Sequence, residues 1–432
     1  MNVYAGIDFG TSGARIAVVD AEGNRLTQAS QPFDSVPESQ LPAYWRETLF
    51  SLLASINHHD RQYLTAIAIN GTSSTVLLCD AAGQPITSPL LYNDARAAAA
   101  VETLRAVFAQ VHLANAPCKD TVLSATSSLV KLLWWSQLSL FSQAKYLFHQ
   151  ADWLGFLLHG QPGISDYHNS LKLGYDVQQL RYPAWLMDLA IAPLLPRVVA
   201  PGTPIGAVTP AVASQLDLPP HCQVCAGTTD SIAAFLASPA TEPGQAVTSL
   251  GSTLVLKLLS KTWVENGAYG IYSHRLGHQW LVGGASNTGG AVLQQFFTAA
   301  ELRQLSDRIP AAQESHLNYY PLLRPGERFP INDPQLMPRL QPQPEDPVVF
   351  LHGLLESMAR IEAEGYQVLQ ALGATPLKHV YTAGGGADNA AWTTIRARRL
   401  GVTVTRSPHS DAAYGTALLA RQAVNQPPIN RQ

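Results

Sequence analysis

Residues 3–20, VYAGIDFGTSGARIAVVD, and residues 245–259, QAVTSLGSTLVLKLL, follow one plan: an apolar run, a short turn of Gly with Ser and Thr, and a second apolar run. Short β-branched runs bounded by turn formers predict β-hairpins. Their recurrence in both halves of the chain predicts an internal duplication. Glycine turns of this kind offer several backbone N–H groups with no Cβ in the way and hydroxyls beside them, a combination that suits phosphate oxygens. Two such turns point to a polyphosphate gripped from both sides. Two ordinary hairpins are the alternative, because Gly and Ser populate turns everywhere. The first copy also places one acid, Asp8, between its apolar run and its turn, and nothing in the local sequence pairs with it.

The surroundings of the hairpins set the fold class. TAIAIN and TVLLCD read as further strands, and PAYWRETLFSLLASI between the strands spaces its apolar residues as a helix does. The alternation predicts an α/β domain with a covered sheet. SSLVKLLWWSQLSLF is intensely apolar, but Lys131 with several Ser and Gln residues interrupts it, so a buried helix is expected there rather than a membrane span. APLLPRVVAPGTPIG (192–206) and the Pro-rich segment 321–347 are connectors. CQVCAGTTDSIAAFLAS after the first reads as strand, polar turn and helix. After the second come a helix over about 347–372, a strand HVYTAGGG and a closing helix near DAAYGTALLARQA. A chain of 432 residues exceeds what one core usually serves. Turn formers gather at SPATEPG, so the expected domains are 1–236 and 237–432.

Several function classes fall away. A net charge of -3 leaves no long basic surface for nucleic acid. No stretch reaches the ~18 uncharged apolar residues of a membrane helix, and MNVYAGIDFG lacks the basic start of a signal peptide, so a cytoplasmic protein is expected. Four cysteines cannot form a disulfide framework; Cys222 and Cys225 make a CxxC without a second ligand pair and read as buried thiols. Thirteen histidines, His59, His168 and His352 among them, show no ligand spacing. GxxxxGK[ST], HExxH and GxSxG are absent, and GGGADN lacks the third glycine and the later acid of a dinucleotide fingerprint.

GIDFGTSGARIAVVD resembles the first phosphate hairpin of the actin, Hsp70 and sugar-kinase superfamily. AGTTDSIAAF, TSLGSTLVL, GGASNTGG and YTAGGGADNAAW stand in the order found in the FGGY carbohydrate kinases, and KLLWWSQ, QADWLGFLLHG and SDYHNSLKLGYD are similar to that family's first-domain pattern. The short chain, INGTSSTVLLCD and ERFPI most resemble the small ribulose or xylulose kinases of cyanobacteria and plastids. The resemblance implies an α/β protein of two ribonuclease H-like domains, the actin-like ATPase fold, around a deep cleft. The sugar would lie on the first domain, ATP mostly on the second, and Mg²⁺ between them.

Asp8, by that resemblance, would hold Mg²⁺ directly or through water, as hard oxygen ligands do, and would stand next to the sugar. Asp230 is implied as the base that deprotonates the attacking hydroxyl, and its place after a strand and before an apolar helix puts it at a sheet's carboxyl edge, where ligands gather. A helix N-cap is the alternative role. Thr11, Ser12 and Gly13 with Gly251, Ser252 and Thr253 would contact the β- and γ-phosphates. Gly385, Gly386, Asn389 and Trp392 would meet the adenosine, although Trp392 is equally a packed helix residue, and Gly284 in GGASNTGG would line the nucleotide side. Ser73, Asp94 and Arg96 are the further sugar contacts. Family members usually carry Trp where Leu91 or Tyr92 stands, and an ion pair of Asp94 with Arg96 is the alternative.

The expected activity is ATP-dependent phosphorylation of a ketopentose, D-ribulose to D-ribulose 5-phosphate first and D-xylulose second. A nucleotide switch like the actin and chaperone branches, or an ATPase without a sugar substrate, is the rival. The expected partner is a small-molecule sugar rather than nucleic acid or membrane, for a monomer or homodimer in the cytoplasm, or in the plastid stroma for a plant source.

Overall fold

The computed structural model describes residues 2–110 and 119–425. The chain forms two compact units, Met1–Ala237 with Asp411–Gln432, and Ser238–Ser410.

In the first unit, β1 (Val3–Phe9), β2 (Gly13–Val19), β3 (Arg25–Pro32) and β4 (Leu64–Gly71) come first along the chain. Two short pairs follow: β5 (Val76–Cys79) antiparallel to β6 (Tyr146–His149), and β7 (Ile164–Asp166) parallel to β8 (Arg197–Val199). Two further strands, β9 (Pro204–Ala207) and β10 (Gln223–Thr229), complete a main sheet of order β3-β2-β1-β4-β10-β9. β1, β4 and β10 run parallel at its centre, with the β1–β2–β3 meander on one side.

Every residue of β1 is buried because both faces of the sheet are covered. Val3, Ala5, Ile7 and Phe9 share a core with Trp45, Leu49, Leu52 and Leu53 of the helix Leu41–Ala54. On the opposite face Tyr4 packs with Ala413, Tyr414, Ala417 and Ala420 of the last helix, Ala412–Asn425. The period of two along a strand therefore sends Gly6 and Asp8 to that second face as well.

This last helix departs from the sequence expectation, which placed it in a domain 237–432. It packs on β1, β2 and β4 of the first unit. The cause is a helix stripe of small residues set directly on a strand glycine: a Cβ at Gly6 would sit 2.0 Å from the Ala417 nitrogen and 2.2 Å from the Ala413 carbonyl oxygen. Backbone on both sides leaves nothing flexible to yield. Gly6→Ala is therefore expected to destabilise the first unit by about 3 kcal/mol or more, read as a lowered unfolding midpoint or loss of soluble protein; an unchanged midpoint would contradict this packing.

The second unit holds β11 (Gln245–Leu250), β12 (Leu254–Ser260), β13 (Tyr272–Leu276), β14 (Gln279–Ser286), β15 (His379–Ala383) and β16 (Thr403–Arg406), in the order β13-β14-β12-β11-β15-β16. Its plan matches the first sheet: an antiparallel meander β11–β12–β14, then β15 and β16 parallel to β11. The helix expected over about 347–372 is Pro347–Ala371, and it buries Leu351, Leu354, Leu355 and Met358 in the core of this unit. A fully buried network lies under the sheet. Arg396 donates to both oxygens of Glu362 at 2.6 and 2.7 Å and to Thr382 at 2.6 Å, while Thr248 donates to Glu362 at 2.6 Å. Every charge in it is answered, as burial requires.

Among the described residues no helix is long and apolar enough to cross a membrane. Lys131 sits in the short buried helix Ser128–Trp135. Cys79, Cys222 and Cys225 are buried free thiols, and burial pushes Cys225 up to about 12, which leaves it unreactive. Cys118 lies outside the described residues.

Candidate active site

The carboxyl edge of the first sheet gathers acids. Asp8 on β1 stands beside Asn70 on β4, and Asn70 beside Thr228 on β10, so one row crosses three parallel strands near their ends. Asp230 opens the helix Asp230–Leu236 two residues after Thr228. Asp411 precedes the last helix and accepts the Ala413 N–H at 3.0 Å. Arg25 approaches Asp411 at 3.8 Å.

Asp8 is 9% exposed, and its Oδ1 is buried without a hydrogen-bond donor among the described residues. Burial above all, then the charges of Asp230 and Asp411, push its carboxyl up to about 7, with Arg15 on the facing strand and the Asn70 amide pulling the other way. A carboxylate withdrawn from water and set among other carboxylates is unfavourable unless a cation answers it. No group of three or more His, Cys, Asp or Glu among the described residues could by itself hold a metal. That combination fits magnesium, which keeps several waters and is commonly held by one or two carboxylates together with substrate phosphates.

Asp230 is half-buried, and its Oδ1 accepts the N–H of Ser231 at 2.6 Å. The cap position belongs to Thr229, whose side chain makes no cap hydrogen bond. Asp230 therefore lies one residue inside the helix, and the Ser231 N–H it accepts is the second-position donor that a capping side chain reaches. The capping alternative raised by the sequence is met in part: Asp230 is not the cap residue, yet its carboxylate takes up a first-turn N–H.

Three further polar groups near these strand ends were invisible in the sequence. Ser74 Oγ, Thr229 Oγ1 and Asn169 Oδ1 are buried and have no hydrogen-bond partner among the described residues. Thr229 faces Gly71 at the end of β4, and Ser74 follows three residues later with φ of 66°. Lys131, fully buried, holds the Ser74 carbonyl at 2.8 Å and the Leu91 carbonyl at 2.6 Å, and burial brings its ammonium down to about 7. Buried hydroxyls without partners are costly unless a ligand completes them. A polyol is the kind of molecule that does. Ser73 is half-buried in the same segment. Asp94 and Arg96, expected to contact sugar, are engaged with each other: Arg96 Nε lies 2.8 Å from Asp94, and its Nη2 lies 2.8 Å from Glu38. The ion-pair alternative is the arrangement present.

The two glycine turns are both where the sequence put them. The first, between β1 and β2, closes with the Gly10 N–H on the Gly13 carbonyl at 3.0 Å and exposes Thr11 and Ser12. Gly13 lies against β3, where a Cβ would come 2.8 Å from the Gln31 oxygen. The second, Gly251–Ser252–Thr253, joins β11 to β12, with Ser252 exposed. Beside it, Gly384 has φ of 85°, and a Cβ there would meet the Leu250 oxygen at 2.7 Å. Gly385, the next residue, has nothing within 4 Å of its Cβ position, so a ligand can approach its backbone.

The other expected nucleotide contacts read differently. Asn389 caps the helix Ala390–Leu400 through the Trp392 N–H and donates to Ser306 at 2.8 Å. Trp392 is 2% exposed and belongs to the core of the second unit, so its ring has no face free for a base; this corrects the stacking expectation in favour of packing. Gly284 is explained by the Phe329 ring, which a Cβ would approach to 2.6 Å.

Comparison with known proteins accords with this geometry. Residues 3–237 match the FGGY family of carbohydrate kinases, N-terminal domain, and residues 246–424 its C-terminal domain. The xylulose kinase of Staphylococcus xylosus is 26% identical over 97% of this chain and 90% of its own length. That of Escherichia coli K12 is 25% identical over 98% and 90%. The ribulokinase of Geobacillus thermodenitrificans is 25% identical over 59% of this chain and 52% of its own. Among solved structures, a xylulose kinase from Rhodospirillum rubrum superposes with a TM-score of 0.81 at 22% identity, covering 99% of this chain and 91% of that one, a likeness of fold. With family matches over both halves, the chain belongs to the FGGY family of carbohydrate kinases.

Proposed function

We propose that this carbohydrate kinase transfers the γ-phosphoryl group of ATP to a hydroxyl of a free ketopentose, with D-ribulose and D-xylulose as its two candidate substrates. The observation that carries the reading is the buried carboxylate of Asp8, its Oδ1 without a donor among the described residues, beside Asp230 at the carboxyl edge of the first sheet. Whole-length similarity to proteins named xylulose kinases, and partial similarity to one named ribulokinase, supports a pentulose as acceptor.

Phosphoryl transfer asks a protein for positioning and charge neutralisation more than for covalent chemistry. Asp8 would hold magnesium, which when bound to ATP neutralises the phosphate oxygens and orients the terminal phosphoryl group. Thr11, Ser12 and Gly13 in the first unit, and Gly251, Ser252 and Thr253 in the second, present backbone N–H groups and hydroxyls to phosphate oxygens. Asp230 accepts the proton of the attacking sugar hydroxyl, a contribution of about 10² to 10⁴ in rate for a positioned base. Ser74 Oγ, Thr229 Oγ1 and Asn169 Oδ1, which lack partners among the described residues, are available to the remaining sugar hydroxyls.

A coupled assay of ADP release over D-ribulose, D-xylulose, L-ribulose and a set of polyols tests this. The expected result is release that depends on a D-ketopentose. ADP release independent of any sugar, and unchanged by Asp230→Ala, would instead favour a nucleotide switch.

A further inference from the structure

We propose that Glu327 is a positioning residue for the phosphate turn Gly251–Thr253, acting through the loop Ser286–Gly290. The inference rests on the reading of that turn as a phosphate site.

Glu327 is 2% exposed and lies on no regular element, in the Pro-rich connector before the long helix. Its two oxygens collect five donors. Oε1 accepts the Asn287 N–H at 2.8 Å, the Arg328 N–H at 2.9 Å and, more weakly, the Phe329 N–H at 3.5 Å, while Oε2 accepts Ser286 Oγ at 2.5 Å and the Tyr320 hydroxyl at 3.2 Å. The carboxylate thus pins the last residue of β14 and the first residue of the loop that follows.

The loop in turn is seated on the phosphate turn without slack. Thr288 accepts the Leu254 N–H at 2.8 Å, the Gly290 N–H donates to the Gly251 carbonyl at 2.8 Å, and the Ala291 N–H donates to the Ser252 carbonyl at 3.2 Å. Gly289, at φ of 145°, is so close that a Cβ would lie 2.7 Å from both the Ser252 oxygen and Thr253 Cα. These bonds engage the carbonyls of Gly251 and Ser252, the atoms that would repel a phosphate, and hold the turn's conformation. A displacement of Ser286 and Asn287 therefore passes directly to the atoms that would face the triphosphate. The candidate sugar groups Ser74, Thr229 and Asn169 belong to the other unit and share none of these bonds.

The test is calorimetric titration of Mg·ATP, and separately the KM for the preferred ketopentose, on the wild type, Glu327→Gln, Glu327→Ala and Tyr320→Phe. Hydrogen bonds to a charged acceptor are the stronger kind, so the expected result is an ATP Kd raised about tenfold in Glu327→Gln. A larger rise is expected in Glu327→Ala and a small one in Tyr320→Phe, with the sugar KM within about twofold throughout. Should Glu327→Ala not fold, the Gln and Phe variants carry the comparison. A folded Glu327→Gln with unaltered ATP affinity, or with equal losses for ATP and sugar, overturns the proposal while leaving the phosphate turn intact. A wild type that takes up no Mg·ATP overturns the reading of the turn itself, and this inference with it.

Discussion

Asp8→Asn is expected to abolish sugar phosphorylation and, in the same protein, to raise the stability of the unliganded first unit at pH 8. Both effects have one cause. The carboxylate is buried, meets other acids and lacks a donor at Oδ1, so its charge is useful only to a cation that arrives with substrate. The sign follows from linkage. A carboxyl whose folded pKa, about 7, exceeds its unfolded value of 3.8 disfavours the folded state when it is ionised. That penalty is absent below about pH 4, grows as pH rises through the interval, and is complete above about 7. Removing the charge should then stabilise the unit at pH 8 by on the order of 2–4 kcal/mol, a gain that shrinks toward zero as the pH falls to about 4. Unfolding midpoints of the two proteins at pH 8 and pH 4, beside the ADP-release assay, check both halves. An active Asp8→Asn, or one less stable than the wild type at pH 8, would mean that the acid is held by protein contacts.

Asp230→Asn is the second large effect, and it differs in kind. Here kcat should fall by about 10² to 10⁴, while affinity for Mg·ATP and the KM for sugar stay close to the wild-type values, because Asn keeps the size of the side chain and can still accept the Ser231 N–H. Loss confined to kcat marks a group used in the transition state. A comparable rise in the sugar KM with little change in kcat would recast Asp230 as a binding residue.

Much of this was legible along the chain, for local reasons. Each hairpin is specified by two apolar runs and the glycine turn joining them, all within about 18 residues, and the helix Pro347–Ala371 announces itself by its periodicity and a Pro at its first position. Asp8 stood out because an acid interrupts an apolar run, and Asp230 because an acid follows a strand. What stayed hidden depends on residues far apart in sequence. The last helix follows the second unit along the chain, yet its Ala413 and Ala417 are seated on Gly6, a contact across some four hundred positions that no window can contain.

Burial of Trp392 is equally non-local: its helix spacing suits a core face or a ligand face, and only the packing of the unit decides. Ser74 Oγ, Thr229 Oγ1 and Asn169 Oδ1 draw attention solely by lacking partners among the described residues, and Glu327 and Lys131 by having several, properties that exist once the chain is folded. Lys131 in particular read as a mere interruption of an apolar stretch, whereas it fastens two backbone segments beside the candidate sugar groups.

Asp8 is proposed to hold a divalent cation carried by the nucleotide. That role is tested most directly by titrating ATP into the intact protein by calorimetry, with magnesium and with a chelator, for the wild type and Asp8→Asn. Magnesium is expected to tighten ATP binding at least about tenfold in the wild type, a gain that vanishes in Asp8→Asn, since one hard oxygen ligand of the ion has been removed. An equal magnesium dependence in the two proteins would contradict it.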